Sequence, residues 1–74
     1  MNQELRRCAI LTTLESGPLT VRALGAKMGI DVNTIGRDLD WLVRAEIVAR
    51  EENPDWPGHG AKVGRHIFRL EDAA

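Results

Sequence analysis

Residues 19–33 read LTVRALGAKMGIDVN and residues 34–50 read TIGRDLDWLVRAEIVAR. The first stretch sets Val21, Leu24, Gly25 and Met28 at i, i+3, i+4 and i+7, one face of a helix. Thr20 precedes that helix as its N-cap. Gly29 supplies the positive φ of a tight turn, Ile30 returns to the core, and Asp31 caps the next helix, where its charge suits the positive end. In this later helix Ile35, Leu39, Leu42 and Val43 form an apolar stripe. Asn33, Arg37, Asp40 and Arg44 occupy the opposite side, with Thr34 and Trp41 on its border. Gly25 costs a helix interior roughly 1 kcal/mol against alanine. A second helix crossing close to it is the expected reason.

Outward from this pair, Asn2 caps an N-terminal helix that runs to about residue 15. Ser16, Gly17 and Pro18 end it, with Gly17 suited to a left-handed cap and Pro18 unable to continue the helix. Ile10, Leu11 and Leu14 share one face. Leu5 and Ala9 lie on another, expected to close the core; a dimer surface is their alternative use. Leu19 adds a residue or two of extended chain. On the C-terminal side, residues 47–52 and 65–70 read as partner strands, with His66, Phe68 and Leu70 alternating against Ile67 and Arg69. Residues 53–64 carry two prolines and three glycines, which marks a long hairpin loop. Trp56 in that loop is expected to fold back as a hydrophobic latch; part of a dimer contact is its alternative use. Trp41 is expected to pack beneath the hairpin; an exposed interface anchor is its alternative use. The order is helix, helix, helix, strand, strand. The expected fold is mainly α with a small β-hairpin: a winged helix-turn-helix forming one domain over residues 1–74. The helix-turn-helix covers about residues 20–46 and the two- or three-stranded wing about residues 47–70.

The composition suits a folded domain rather than a disordered chain, since 43% of the residues are hydrophobic. The net charge is −1, which speaks against a general affinity for nucleic acid. The distribution is less even. Acidic residues gather at Glu51, Glu52, Asp55, Glu71 and Asp72, whereas Arg37, Arg44, Lys62 and Arg65 could share one positive side. The longest uncharged apolar stretch, residues 8–14, is far too short to cross a bilayer, and the first residues lack the apolar centre of a secretory signal. A single cysteine, Cys8, cannot form an internal disulfide and is expected to be a small buried apolar group. The expected compartment is the cytoplasm. His59 and His66 do not make the ligand set of a zinc site. No nucleophile motif, carboxylate pair or phosphate loop is present. We therefore expect neither an enzyme nor a cofactor, metal or small-molecule effector.

The run from Arg7 to Arg50 resembles the N-terminal domain of DeoR-type repressors, which pairs an ILxxL helix with a TIRRDLxxL helix and a strand ending in arginine. The residues that carry the resemblance are Ile10, Leu11, Leu14, Gly17, Thr20, Val21, Leu24, Gly29, Thr34, Ile35, Arg37, Asp38, Leu39, Leu42, Val48 and Arg50. Residues 64–70, GRHIFRL, are similar to the last wing strand of many bacterial winged-helix regulators. Gly36 stands where the family has arginine, and Glu46 where it has the glycine that ends the helix. The loop is longer than the family's wing, and the 74 residues hold none of the family's sugar-phosphate-sensing domain. The resemblance implies the DNA-binding architecture without the effector response.

That architecture would lay the third helix in the major groove of double-stranded DNA. Thr20, Val32, Asn33, Thr34, Gly36, Arg37 and Arg44 are the candidate contacts from the helices. Arginine suits guanine and asparagine suits adenine, while threonine more often bonds a phosphate. Arg44 would reach backbone, and Asp40 would orient Arg37. Gly36, having no side chain, would let the backbone approach closely, or is simply a tolerated residue at an exposed site. His59, Lys62 and Arg65 are the candidate contacts from the wing, each cation adding salt dependence. A homodimer on a two-fold operator is expected, because one module offers modest contact area. A chain of this size would suit a compact phage, prophage or plasmid regulator controlled by its abundance. Two other uses remain open: a winged-helix protein–protein interaction module, and a DNA-architectural or packaging component.

Overall fold

A computed structural model describes residues 2–56, 58 and 64–71. It contains three helices, α1 (Gln3–Leu14), α2 (Val21–Met28) and α3 (Val32–Arg44), followed by strands β1 (Val48–Glu52) and β2 (His66–Leu70). This is the layout of a helix-turn-helix with a wing.

Local chemistry writes the helix starts. Asn2, Thr20 and Asp31 each adopt extended backbone, and their side chains accept from the amides of Leu5, Ala23 and Thr34 respectively. Beyond α1, Gly17 takes φ 137°, a value glycine alone adopts readily. Leu19 then exchanges backbone hydrogen bonds with Phe68, at 3.0 and 2.8 Å. This bridge ties the α1–α2 link to β2. β1 and β2 are antiparallel, with Val48 opposite Leu70 and Glu52 opposite His66.

The core is built from one to three residues of each element: Ile10 and Leu14 of α1, Leu24 of α2, Ile35, Leu39 and Leu42 of α3, Val48 of β1 and Phe68 of β2. Val21, Met28, Ile30, Val43 and Leu19 pack against it, partly buried. The stripe expected on α3 is therefore present, with one addition. Asp38, at 1% exposure, lies on the same buried side.

Two turn positions show opposite uses of glycine. Gly29 ends α2 in the left-handed conformation, φ 68°. The carbonyl of Gly25 accepts from Ile30 N–H, at 3.0 Å, so the turn folds back over the helix. A Cβ on Gly25 would sit 2.8 Å from the Ile30 carbonyl oxygen. The small residue is thus required by the turn's own backbone, and not by a crossing helix as the sequence suggested. Alanine's helix-propensity gain of about 1 kcal/mol is smaller than the roughly 1–3 kcal/mol of forcing an atom into a packed site. Gly25→Ala should therefore lower the melting temperature, by about 4–8 °C per net kcal/mol lost. A variant that melts above the parent would contradict the close approach.

Glu46 is the converse. Its φ is +62°, the one positive value among the described non-glycine residues. Glu46 N–H donates to Val43 and Ile47 N–H to Leu42, both at 3.0 Å. This is the Schellman closure that usually carries glycine at the left-handed position. The glutamate leaves that closure intact at a steric cost of about 1–2 kcal/mol. Glu46→Gly should recover about 1 kcal/mol of it, read as a higher urea midpoint at unchanged slope.

Several expectations drawn from helical periodicity are corrected. Cys8 is exposed, not buried, because it lies about 200° around α1 from Ile10. Leu5 is 60% exposed and does not close the core, while Ala9 is half-buried. Trp41 is 47% exposed and does not pack under the hairpin. Its ring face is instead covered by the Arg7 guanidinium of α1, 4.1 Å from the ring centroid.

Candidate nucleic-acid interface

α3 presents Asn33, Arg37, Asp40 and Arg44 on its exposed side, as its periodicity predicts. Steps of four, three and four residues keep them on one face. Gly36, one position before Arg37, meets nothing within 4 Å of where its Cβ would be. An open groove of about 380 Å³ runs along this face. Val32, Asn33, Gly36, Arg37 and Asp40 of α3 line one side; Val21 of α2 and Phe68 of β2 complete it. Five of the expected or neighbouring positions on α3 thus converge on one concave surface.

The two threonines have prior engagements. The Thr34 hydroxyl donates to Asp31 Oδ1 at 2.8 Å, so its hydrogen is not free for a phosphate as the sequence suggested. Together with the Thr34 amide, this hydroxyl holds the Asp31 carboxyl below its ordinary pKa. Asp31 is therefore a fixed negative charge at the start of α3. The Thr20 hydroxyl oxygen accepts from the Ala23 amide at 3.1 Å, which leaves its own hydrogen available to a ligand.

Salt bridges sort the cations into two groups. Arg6 and Arg7 meet Asp38; Arg50 meets Asp40 at 3.7 Å; Arg65 meets Glu52 at 3.9 Å; Arg69 meets Glu51. Among the described residues, Arg22 and Lys27 of α2 and Arg37 and Arg44 of α3 have no carboxylate within 4.0 Å. The described cations with no carboxylate partner therefore belong to the helix-turn-helix, while the described arginines of the wing each have one, and Arg6 and Arg7 of α1 share the single charge of Asp38. Asp40 does not orient Arg37; its partner is Arg50, on β1. Arg65 keeps its place beside the wing loop, with its guanidinium 5.5 Å from the Trp56 ring centroid. Trp56 is half-buried, and its ring stands near Gly64 and Arg65 at the base of the hairpin loop. Asn53 ties the loop's base, donating to the Gly64 carbonyl at 2.8 Å. His59 and Lys62 lie outside the described residues.

Sequence reasoning missed three residues here. Arg22 and Lys27 lie on the exposed side of α2, which carries no motif that marks it as part of a ligand surface. Asp38 was overlooked although its position carries a signal. It stands three residues after Ile35 and four before Leu42, on the apolar stripe, where a carboxylate requires a partner. Arg6 supplies two bonds, from Nε to Oδ2 and from Nη2 to Oδ1 at 3.2 Å. Arg7 Nε approaches Oδ1 at 3.4 Å. The hydrogen bond to Asp38 raises the Arg6 pKa further above its ordinary value. This cluster joins α1 to α3 directly behind the exposed stripe.

Among the described residues no helix is long and apolar enough to cross a membrane. No group of three or more His, Cys, Asp or Glu among them is placed to hold a metal ion. No family model, curated protein or solved structure matched the chain.

Proposed function

We propose that this chain is a sequence-specific, double-stranded-DNA-binding transcriptional regulator. α3 enters the major groove and the wing lies on the flanking backbone or minor groove. The observation that carries this reading is the exposed stripe of Asn33, Arg37 and Arg44 on α3, beside an open groove and free of compensating carboxylates on its two arginines. Those side chains offer the donors that base edges and phosphates accept. The resemblance of residues 7–50 to DeoR-type repressors supports the same reading. Two-fold pairing of the chain on DNA would supply the contact area that one such module lacks.

A protein-interaction role is the second reading, favoured by the exposed Leu5 and Trp41 and by the neutralised wing arginines. Duplex DNA titrated over a salt series, after selection from a random pool, separates the two. We expect a two-fold symmetric consensus and an affinity that falls steeply with salt. Binding at low salt without a consensus would favour an architectural or packaging role. Absence of binding at low salt would favour the protein partner.

A further inference from the structure

The α3 stripe carries one charge of the wrong sign for a nucleic-acid surface. Asp40 follows Arg37 by one turn, its side chain is 60% exposed, and it lines the same groove as Asn33 and Arg37. The fold has little use for it there. Its one salt bridge among the described residues, to Arg50 Nη1, is long and solvent-exposed, and pairs of that kind contribute little to stability.

A carboxylate on a DNA-facing helix repels phosphates in every register in which no donor meets it. The major groove offers such donors at defined places, the exocyclic amino groups of bases, and carboxylates accept from cytosine N4. We propose that Asp40 is a specificity-determining residue of α3, with its carboxylate accepting from the amino group of a cytosine. Arg50, 3.7 Å away, offsets part of the carboxylate's charge toward the neighbouring backbone. Seven residues separate Asn33 from Asp40, about 10 Å along the helix. Among the α3 side chains that line the groove, the last is thus an acceptor, where Arg37 before it is a pure donor and Asn33 is both. This inference rests on the DNA-binding reading above.

The test compares the full chain with Asp40→Asn and Asp40→Ala, each taken through selection from a random duplex pool. Each is then titrated on the selected duplex and on a scrambled one. The parent consensus should contain a cytosine whose replacement lowers affinity about tenfold or more. Asp40→Asn should move the preference at that position toward adenine, the base whose edge an amide matches. Asp40→Ala should bind the scrambled duplex more tightly and lose about tenfold in specificity ratio. If all three proteins select one consensus and the variants bind every duplex more tightly by the same factor, Asp40 is only a repelling charge and the proposal is wrong. A parent that selects no duplex at all overturns the DNA-binding reading itself, a distinct result.

Discussion

Asp38→Ala should lower the stability of this domain by about 2–4 kcal/mol. The carboxylate is 1% exposed and receives three hydrogen bonds from two arginines. Its removal leaves Arg6 and Arg7, with side chains 19% and 18% exposed, adjacent and without their counter-charge. Breaking a fully buried pair from one side costs about 3–5 kcal/mol. The loss here is smaller, because both guanidinium groups can turn partly into water. It is still a large share of the roughly 4–11 kcal/mol expected for a domain of this length. Urea unfolding provides the measurement, with a lower midpoint at unchanged slope as the expected result. Asp38→Asn should lose less, because the amide oxygen still accepts from one arginine. A double-mutant cycle with Arg6→Ala should return a coupling well above 0.5 kcal/mol, since the two residues touch. If Asp38→Ala unfolds at the parent's midpoint, the cluster does not hold α1 against α3.

Arg37→Ala should weaken binding to the selected duplex about tenfold to a hundredfold while leaving the melting curve unchanged. Arg37 is exposed and makes no hydrogen bond or salt bridge among the described residues, so its truncation releases nothing in the fold. A bidentate arginine–guanine pair is worth about 1–3 kcal/mol of discrimination against the wrong base, which sets the size of the effect. The loss should fall mainly on the specific duplex and flatten the preference at one position. Arg44→Ala, two turns further along, should instead weaken all duplexes alike and reduce the salt slope by about one. Unchanged affinity after Arg37→Ala would remove the outer face of α3 from the interface. The two substitutions thus divide neighbouring residues by task, with Asp38 facing inward to the fold and Arg37 outward.

Both residues stand in the same six-residue motif, yet only one was readable in advance. Arg37 falls opposite the apolar stripe, so periodicity alone exposes it. Asp38 falls on the stripe, and its partners lie 31 and 32 residues away. Nothing in the local pattern names them. Trp41 illustrates the same limit. Its border position on α3 was evident, but the expected cover was the wing, and the actual cover is Arg7. A long cation stacked on an indole ring satisfies both groups without burying the ring. Leu5 and Cys8 fail differently. A helix can carry apolar residues on a side to which the fold brings nothing.

Turn chemistry shows where local reading succeeds. The caps at Asn2, Thr20 and Asp31, and the left-handed Gly29, follow from residues within three or four positions of one another. Glu46 does not, because its identity argues against the positive φ it adopts. The closure made by Glu46 and Ile47 with α3, together with the route into β1, holds it there.

Element order, capping, the apolar inward faces of α2 and α3 and the outward placement of Asn33, Arg37 and Arg44 were all legible in the chain, because each depends on neighbours within a turn or two. The cancellation of charge was not. Which carboxylates silence which arginines, and hence that the uncompensated described cations lie on α2 and α3 and not on the wing, depends on distances between residues remote in sequence. Coulomb attraction acts through space over a few ångströms, and only the packed arrangement of α1, α3 and the hairpin brings those partners within that range.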